Sequence, residues 1–220
     1  MLTATNISID TSLFDGIATY NFENVKTAIN EPTGSFFYDP WVLKEEFKNT
    51  IWEKLLHPLG NNIGEARIIK LENGTCYLKH ADIDDRYHLN ISGENSYLID
   101  LDQRKMYETT IDGIWYEMDA GIPHTAMNAG GYPRLQLVVR KILQDNKIID
   151  PVNVTVEGTE FDARYVFDEV YSPWLNRANK KGIISKFTYV GNKVKFVIEK
   201  KYADELMQVN PKNFKLDFKE

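Results

Sequence analysis

The chain has 220 residues, which suits one domain, or one domain with a small appendage, and is long enough to bury a hydrophobic core. Hydrophobic residues make up 43% of the sequence and charged residues 26%, a composition typical of globular proteins and not of disordered chains. The formal net charge of −6 argues against a general nucleic-acid binder, and no apolar run approaches the ~18–20 residues that span a bilayer.

We expect no secretory signal at the beginning of this sequence, because no basic residue precedes Lys26 and no long apolar run follows Met1. The single cysteine, Cys76, cannot form an intrachain disulfide, and we expect it to be a small buried apolar residue. These features predict a cytoplasmic protein in a reducing compartment, with no membrane partner.

One helix is predicted in the N-terminal part of the chain. Residues 1–40 mix short apolar stretches with glycine and proline, which predicts short strands and turns. Between Trp41 and Leu56 the apolar residues recur every three or four positions, as on an amphipathic helix. The following His57-Pro58-Leu59-Gly60 is typical of a helix end.

From residue 64 onward the apolar residues alternate with polar ones, which is the period of β-strands. Turn-forming pairs such as Asn73-Gly74 and Asp112-Gly113 separate the alternating segments. The predicted strands are 66–71, 75–80, 86–92, 96–101, 105–110, 114–118, 124–128 and 135–142. About eight short strands joined by turns predict a mainly β fold with flanking helices, built as a double-sheet jelly roll or a barrel.

A domain boundary is predicted near Asp150-Pro151. Residues 1–150 then form the β domain with N-terminal helical support, and residues 151–220 form a small α+β accessory extension. Within the extension we predict a helix over 161–178 interrupted by Pro173, a hairpin of 183–190 and 193–198 around Gly191-Asn192, and a short helix over 201–207.

Two histidines and an aspartate stand out as candidate metal ligands. His80 and Asp82 are two residues apart, so a strand would place both on the same face. Several predicted strands separate them from His124, enough for the chain to fold back and bring it to the same point. Two imidazoles and one carboxylate are the ligands of non-haem Fe(II) oxygenases, whereas structural zinc prefers four ligands, usually with cysteine.

Arg134 follows His124 by ten residues and opens the apolar strand 135–142. A buried arginine is costly without an anionic partner, and its planar guanidinium can bind a carboxylate through two parallel hydrogen bonds. A dicarboxylate co-substrate could therefore chelate the metal at one end and meet Arg134 at the other.

The pattern His80-Ala81-Asp82, then His124, then Arg134 resembles the HxD…H…R pattern of Fe(II)/2-oxoglutarate-dependent oxygenases. Within that group, the chain resembles the aspartyl/asparaginyl β-hydroxylase family, which includes bacterial cis-proline hydroxylases and many phage-encoded members. The blocks that carry this resemblance are 66–69, 86–89 and 114–126, closed by 133–139. Together they cover about residues 64–142.

The resemblance implies a double-stranded β-helix (jelly-roll, cupin-like) core that binds Fe(II) through His80, Asp82 and His124. It implies that Arg134 binds the far carboxylate of 2-oxoglutarate, that Arg86 and His88 help to hold the same co-substrate, and that ascorbate serves as a reductant. From the residues alone, Arg86 could instead pair with Asp84 or Asp85, and His88 could be a hydrogen-bonded core histidine.

The function implied is hydroxylation of an amino acid by dioxygen, with release of succinate and CO2. The substrate is a free, proline-like amino acid or an Asp/Asn side chain in a polypeptide. Because related halogenases replace the acidic ligand with a small residue, Asp82 favours hydroxylation. The alternatives are a different oxidation at the same iron, such as demethylation or desaturation, and a non-catalytic cupin-like binding or structural protein.

Overall fold

The computed structural model describes residues 1–17, 26–34, 40–61, 63–82, 84–142, 150–158, 172–180, 184–190, 193–209 and 214–219. In these residues the chain is mainly β, with several antiparallel sheets and few helices. This confirms the mainly β prediction. No helix in the described part of the chain combines the length and the apolar character needed to cross a membrane.

Strands occur along the whole described chain, and the α-helices are short and scattered among them. The strands are β1 (Leu2–Ser8), β2 (Lys26–Ala28), β3 (Asn30–Pro32), β4 (Trp41–Leu43), β5 (Ile63–Leu71), β6 (Thr75–Cys76), β7 (Arg86–Ser92), β8 (Ser96–Asp100), β9 (Lys105–Glu108), β10 (Ile114–Met118), β11 (His124–Asn128), β12 (Arg134–Lys141), β13 (Pro151–Gly158), β14 (Ile184–Val190), β15 (Lys193–Glu199) and β16 (Phe214–Lys219). The α-helices are α1 (Ile51–Leu56), α2 (Ser172–Lys180) and α3 (Ala203–Val209).

Two antiparallel sheets pack against each other in the first part of the chain. One has six strands in the order β1-β10-β7-β12-β5-β2, and the other has four in the order β6-β11-β8-β9. A buried apolar cluster joins the two sheets, with Leu71 and Met118 from the first and Leu98 and Ala126 from the second. The space between the sheets is therefore an interior, and side chains that face it are buried.

The opposite face of the six-stranded sheet packs against α1. Trp52 and Leu55 of this helix lie in one buried cluster with Leu89, Trp115 and Leu137 of the sheet. Because side chains alternate along a strand, residues 86, 88 and 90 of β7 face the interior while Leu89 faces α1. The helix thus covers the outer face of this sheet, and the inner face carries buried polar side chains beside the apolar cluster of Leu71 and Met118.

The helix predicted over 41–56 is wrong in its first half. Trp41–Leu43 form β4 and pair with β3, and α1 begins only at Ile51. Lys48 is extended and Asn49 has a φ of 57°, so the helical backbone cannot run through them. Thr50 then caps α1 by accepting a hydrogen bond from the amide of Trp52.

The strand predictions hold with one exception. β7, β10 and β11 match the predicted bounds to the residue, and β5, β8, β9 and β12 match within a few residues. The exception is the strand predicted over 75–80, of which only Thr75–Cys76 is regular. Cys76 was expected to be buried and is exposed.

The C-terminal residues form a separate antiparallel sheet in the order β14-β15-β13-β16. Its core contains Val154, Phe196 and Ile198 together with Leu175 of α2 and Leu206 of α3. The predicted hairpin is present as β14 and β15, with its turn at 191–192 outside the described residues. β13 and β16 were not predicted, because isolated strands of an accessory sheet carry no turn signal linking them to their partners.

The helix predicted over 161–178 lies largely outside the described residues, which resume at 172. The described helix α2 starts at Ser172, so Pro173 stands in its first turn instead of interrupting it. β13 begins at Pro151, next to the predicted boundary. The division into residues 1–150 and 151–220 stays a prediction.

Candidate metal centre

Three predicted ligands come together at one end of the interior between the two sheets. One ligand atom from each of His80, Asp82 and His124 lies within 4.8 Å of the others. His124 opens β11 and is buried, whereas His80 and Asp82 are partly exposed and lie in the irregular segment after β6. The cluster is thus fixed on one side by the sheet and open on the other.

An extra residue in the chain between Cys76 and His80 turns His80 toward the interior. Cys76 lies opposite Met127 and His80 opposite His124, so four steps on one strand match three on the other. In a regular strand His80 would share the outward direction of exposed Cys76. The added residue reverses that direction, as β-bulges do where a side chain must be re-aimed.

Both imidazoles are oriented by backbone carbonyls two residues earlier in the chain. Nδ1 of His80 lies 2.8 Å from the carbonyl oxygen of Leu78, and Nδ1 of His124 lies 2.7 Å from that of Ile122. A carbonyl only accepts, so Nδ1 carries the proton in each neutral ring. The lone pair of each Nε2 is left for a metal, which is the usual arrangement of metal-binding histidines.

Asp82 is held as a carboxylate by its neighbours. Its Oδ1 lies 3.1 Å from Nη2 of Arg86, and its Oδ2 lies 4.0 Å from Nε2 of His124. Burial alone would raise the pKa of Asp82, but Arg86 and the two imidazoles hold it well below its usual range. Asp82 therefore presents a negative charge to the site at any pH near neutrality.

Arg86, predicted to hold a co-substrate, is engaged with two carboxylates. Besides Asp82 it contacts Asp84, with Nη1 2.7 Å from Oδ1. Asp84 is buried and also accepts a hydrogen bond from Nε of Arg140. The local salt bridge that the sequence left open for Arg86 is therefore present, and direct co-substrate binding by Arg86 stays a prediction.

Arg134 is buried with donors that lack a partner. It begins β12 opposite Leu71 of β5, and its Nε and Nη1 have no hydrogen-bond acceptor among the described residues. Burial lowers the pKa of Arg134 to about 10, so the group remains charged at neutral pH. The backbone at Gly93 (φ 98°) packs closely against that of Arg134. A Cβ at position 93 would lie 2.6 Å from Cα of Arg134, so this approach requires a glycine.

His88 is also buried without partners. Neither ring nitrogen has a hydrogen-bond partner in the described part of the structure. Burial lowers the pKa of His88 to about 3, and the positive charge of Arg134 acts in the same direction. The alternative, that His88 is a core histidine held by a hydrogen bond, therefore has no support among the described residues.

Tyr77 is a candidate site residue that sequence reasoning missed. Its ring lies 6.5 Å from that of His80, and its buried hydroxyl has no hydrogen-bond partner within the described ranges. Burial raises the pKa of Tyr77, with Arg134 and Arg67 acting against this rise, so the hydroxyl stays protonated and lies in the field of Arg134. The strand predicted over 75–80 gave no reason to consider Tyr77, because a regular strand would put Tyr77 and His80 on opposite faces.

The interior face of the six-stranded sheet carries four arginines. Strand register places Arg67 and Arg140 on the same face as His88 and Arg86. Arg67 lies 3.2 Å from Glu65, Arg86 contacts both Asp82 and Asp84, and Arg140 contacts Asp84. Arg134 is the one of the four without a carboxylate among the described residues, so this face has one uncompensated positive charge.

The six predicted site residues thus fall into two groups. His80, Asp82 and His124 form one cluster with Arg86 against Asp82. His88 and Arg134 lie buried on the same interior face, and the described residues offer no partner to either ring nitrogen of His88 or to Nε and Nη1 of Arg134. Models of known protein families give no match to this chain, and no curated protein matches it.

Proposed function

We propose that this protein is an Fe(II)/2-oxoglutarate-dependent dioxygenase that hydroxylates an amino acid. The observation that carries the proposal is the presence, in the interior between the two sheets, of a cluster of three possible ligands and of Arg134, a buried cation whose Nε and Nη1 have no acceptor among the described residues. A buried guanidinium in a protein usually has an anionic partner, because an uncompensated buried charge is strongly destabilising. A dicarboxylate bound at the cluster supplies that anion.

The donor set fits ferrous iron. Two imidazole nitrogens and one carboxylate oxygen form the ligand type of mononuclear non-haem iron sites, and three protein ligands leave positions open for a co-substrate and dioxygen. The only cysteine, Cys76, is exposed and belongs to no cluster of the described residues, which argues against a structural zinc site. Bound iron, together with 2-oxoglutarate and dioxygen, supplies the oxidising power that hydroxylates a C–H bond and releases succinate and CO2.

The chain's own residues would bind and orient the reactants. The guanidinium of Arg134 receives the far carboxylate of 2-oxoglutarate, and the hydroxyl of Tyr77 is placed to donate to the same group. His88, neutral because of its burial, can donate one hydrogen bond without adding charge. Arg86 keeps Asp82 ionised and in place as a ligand.

The core is proposed to be a double-stranded β-helix, or cupin-like jelly roll. Two antiparallel sheets that enclose buried polar side chains, with the proposed ligands at the start of β11 and in the segment after β6, support this assignment. Helix α1 packs on the outer face of the larger sheet and not between the two sheets. The substrate class, a free proline-like amino acid or an Asp/Asn side chain, rests on the sequence resemblance.

Co-substrate turnover tests the proposal. Purified protein mixed with Fe(II), ascorbate and 2-oxoglutarate in air should release succinate. The release should be faster with one member of a panel of free amino acids and Asp/Asn peptides, and that member is the substrate. Asp82→Ala, which removes the carboxylate ligand, is the matched control and should release none. A protein that binds metal without turnover gives no succinate in either form, and that result favours the non-catalytic alternative.

A further inference from the structure

Helix α2 of the C-terminal extension contacts two different parts of the chain. Leu175 and Ala178 are buried in the core of the C-terminal sheet. Asn176 and Lys180 are one turn apart on another side of the helix and contact the β domain close to the metal centre. The extension is therefore joined to the neighbourhood of the site by specific contacts.

Asp85 is the point where α2 meets that neighbourhood. The side-chain amide of Asn176, which is 1% exposed, donates to Oδ1 of Asp85 at 3.2 Å. Nζ of Lys180 lies 3.1 Å from the same oxygen and 2.9 Å from Oδ1 of Asp119. Although burial alone would lower the pKa of Lys180, these two carboxylates raise it, so the cation is fixed between them.

The approach of α2 to the chain at Gly121 is close. A Cβ on Gly121 would lie 2.5 Å from Cγ and Oδ1 of Asn176, well inside contact distance. Only a glycine therefore lets the helix reach this depth. The contact therefore depends on a specific residue on each side, Gly121 on one and Asn176 of α2 on the other.

Two hydrogen bonds connect this contact to a metal ligand. Oδ1 of Asp85, which Asn176 and Lys180 hold, accepts the amide of Ala120 at 3.3 Å. The carbonyl of Ala120 in turn accepts the amide of Asp82 at 2.7 Å. The backbone of Asp82 is thus attached to the segment that α2 fixes.

We infer that α2 positions the carboxylate ligand of the metal centre, with Asn176 and Lys180 as positioning residues acting through Asp85 and Ala120. This rests on the proposed metal centre. Asp82 lies outside any regular strand, so its place depends on such contacts more than that of His124, which opens β11. The C-terminal extension is then part of the working site and not an independent appendage.

Cobalt(II) binding to the full-length apoprotein tests the inference, because its visible absorption reports both affinity and ligand geometry. Lys180→Met and Asn176→Ala should each weaken Co(II) binding by roughly 3- to 10-fold and change the shape of the spectrum; contacts nearer to a metal typically cost 10–100-fold. Lys180→Arg should retain most of the affinity. Arg177→Ala, an exposed position on the same helix, is the matched control and should bind as the wild type does.

Gly121→Ala is a second way to disturb the contact, because the added Cβ would push Asn176 of α2 away from residue 121. It should weaken Co(II) binding as the Lys180 and Asn176 variants do. Thermal unfolding of each variant shows whether the effect is specific, since Lys180 is partly exposed and its loss should leave the fold intact. Wild-type affinity and spectrum in both Lys180→Met and Gly121→Ala overturn the inference while leaving the proposed function standing. Absence of Co(II) binding by the wild type overturns the proposed function as well.

Discussion

The main chains of His80 and His124 hydrogen-bond to each other in both directions, with N···O distances of 3.0 Å and 2.8 Å. Their rings are 4.3 Å apart between centroids. The pair is an isolated bridge, separated from the regular β6–β11 ladder by the extra residue between Cys76 and His80. One backbone contact therefore sets the spacing of both imidazole ligands.

Removing either imidazole should abolish metal binding and turnover, because two remaining protein ligands hold a divalent ion poorly. We expect His80→Ala and His124→Ala each to lose one-equivalent Fe(II) or Co(II) binding by titration. His57→Ala removes an exposed histidine next to α1 and is the control, with wild-type binding expected. Full activity of either ligand variant after purification would rule out this ligand set.

Arg134→Met should weaken co-substrate use without destabilising the apoprotein. A charge-assisted hydrogen bond contributes about 1.5–3 kcal/mol, so the apparent 2-oxoglutarate requirement should rise by roughly 10-fold or more. Because Nε and Nη1 of Arg134 lack partners among the described residues, replacing the cation with an apolar side chain should leave the melting temperature unchanged or raise it.

Arg140→Met is the contrasting variant, since Arg140 pairs with buried Asp84. Its loss removes one of the two arginines that contact this carboxylate among the described residues and leaves only Arg86. We expect it to lower the melting temperature. An unchanged 2-oxoglutarate requirement in Arg134→Met, or destabilisation equal to that of Arg140→Met, would contradict the role given to Arg134.

The metal-free protein should lose stability as the pH falls from 6.5 toward 4. Burial lowers the pKa of His88 to about 3 and that of His124 to about 4, whereas unfolded histidines titrate near 6.5. In this range the unfolded chain binds protons that the folded chain does not. The free energy of unfolding should therefore decrease with falling pH by about 1.4 kcal/mol per pH unit for each histidine.

Urea denaturation at pH 7 and pH 5 measures this slope. His88→Gln removes one of the two groups and should make the decrease visibly smaller, while Arg177→Ala should leave it unchanged. A slope that does not respond to the loss of His88 would mean that His88 is not buried as a neutral ring.

Much of the mainly β structure, and the clustering of His80, Asp82 and His124, could be predicted from local sequence patterns. Alternation predicted β7, β10 and β11, because each has one face in the interior and one against α1 or solvent. The spacing of His80 and Asp82 indicated a shared site. The two side chains do lie close together, but in an irregular segment and not in the regular strand that the pattern predicted.

Other features depended on tertiary structure and had no local signal. The first three residues of the helix predicted over 41–56 form β4, because they pair with β3. Asp84 meets Arg140, and Asn176 meets Asp85, only after distant parts of the chain fold together. Tyr77 and His80 share a face because of one extra residue between them, whose position no periodicity shows.

An anaerobic titration tests the central claim most directly. Fe(II) is added to the apoprotein, followed by 2-oxoglutarate, and the visible spectrum is recorded. A keto-acid chelated to Fe(II) gives a weak metal-to-ligand charge-transfer band, and the proposed site predicts that this band saturates at one equivalent of iron and is missing in His124→Ala. No band in the wild-type protein, or an equal band in His124→Ala, would contradict a ferrous centre built from His80, Asp82 and His124.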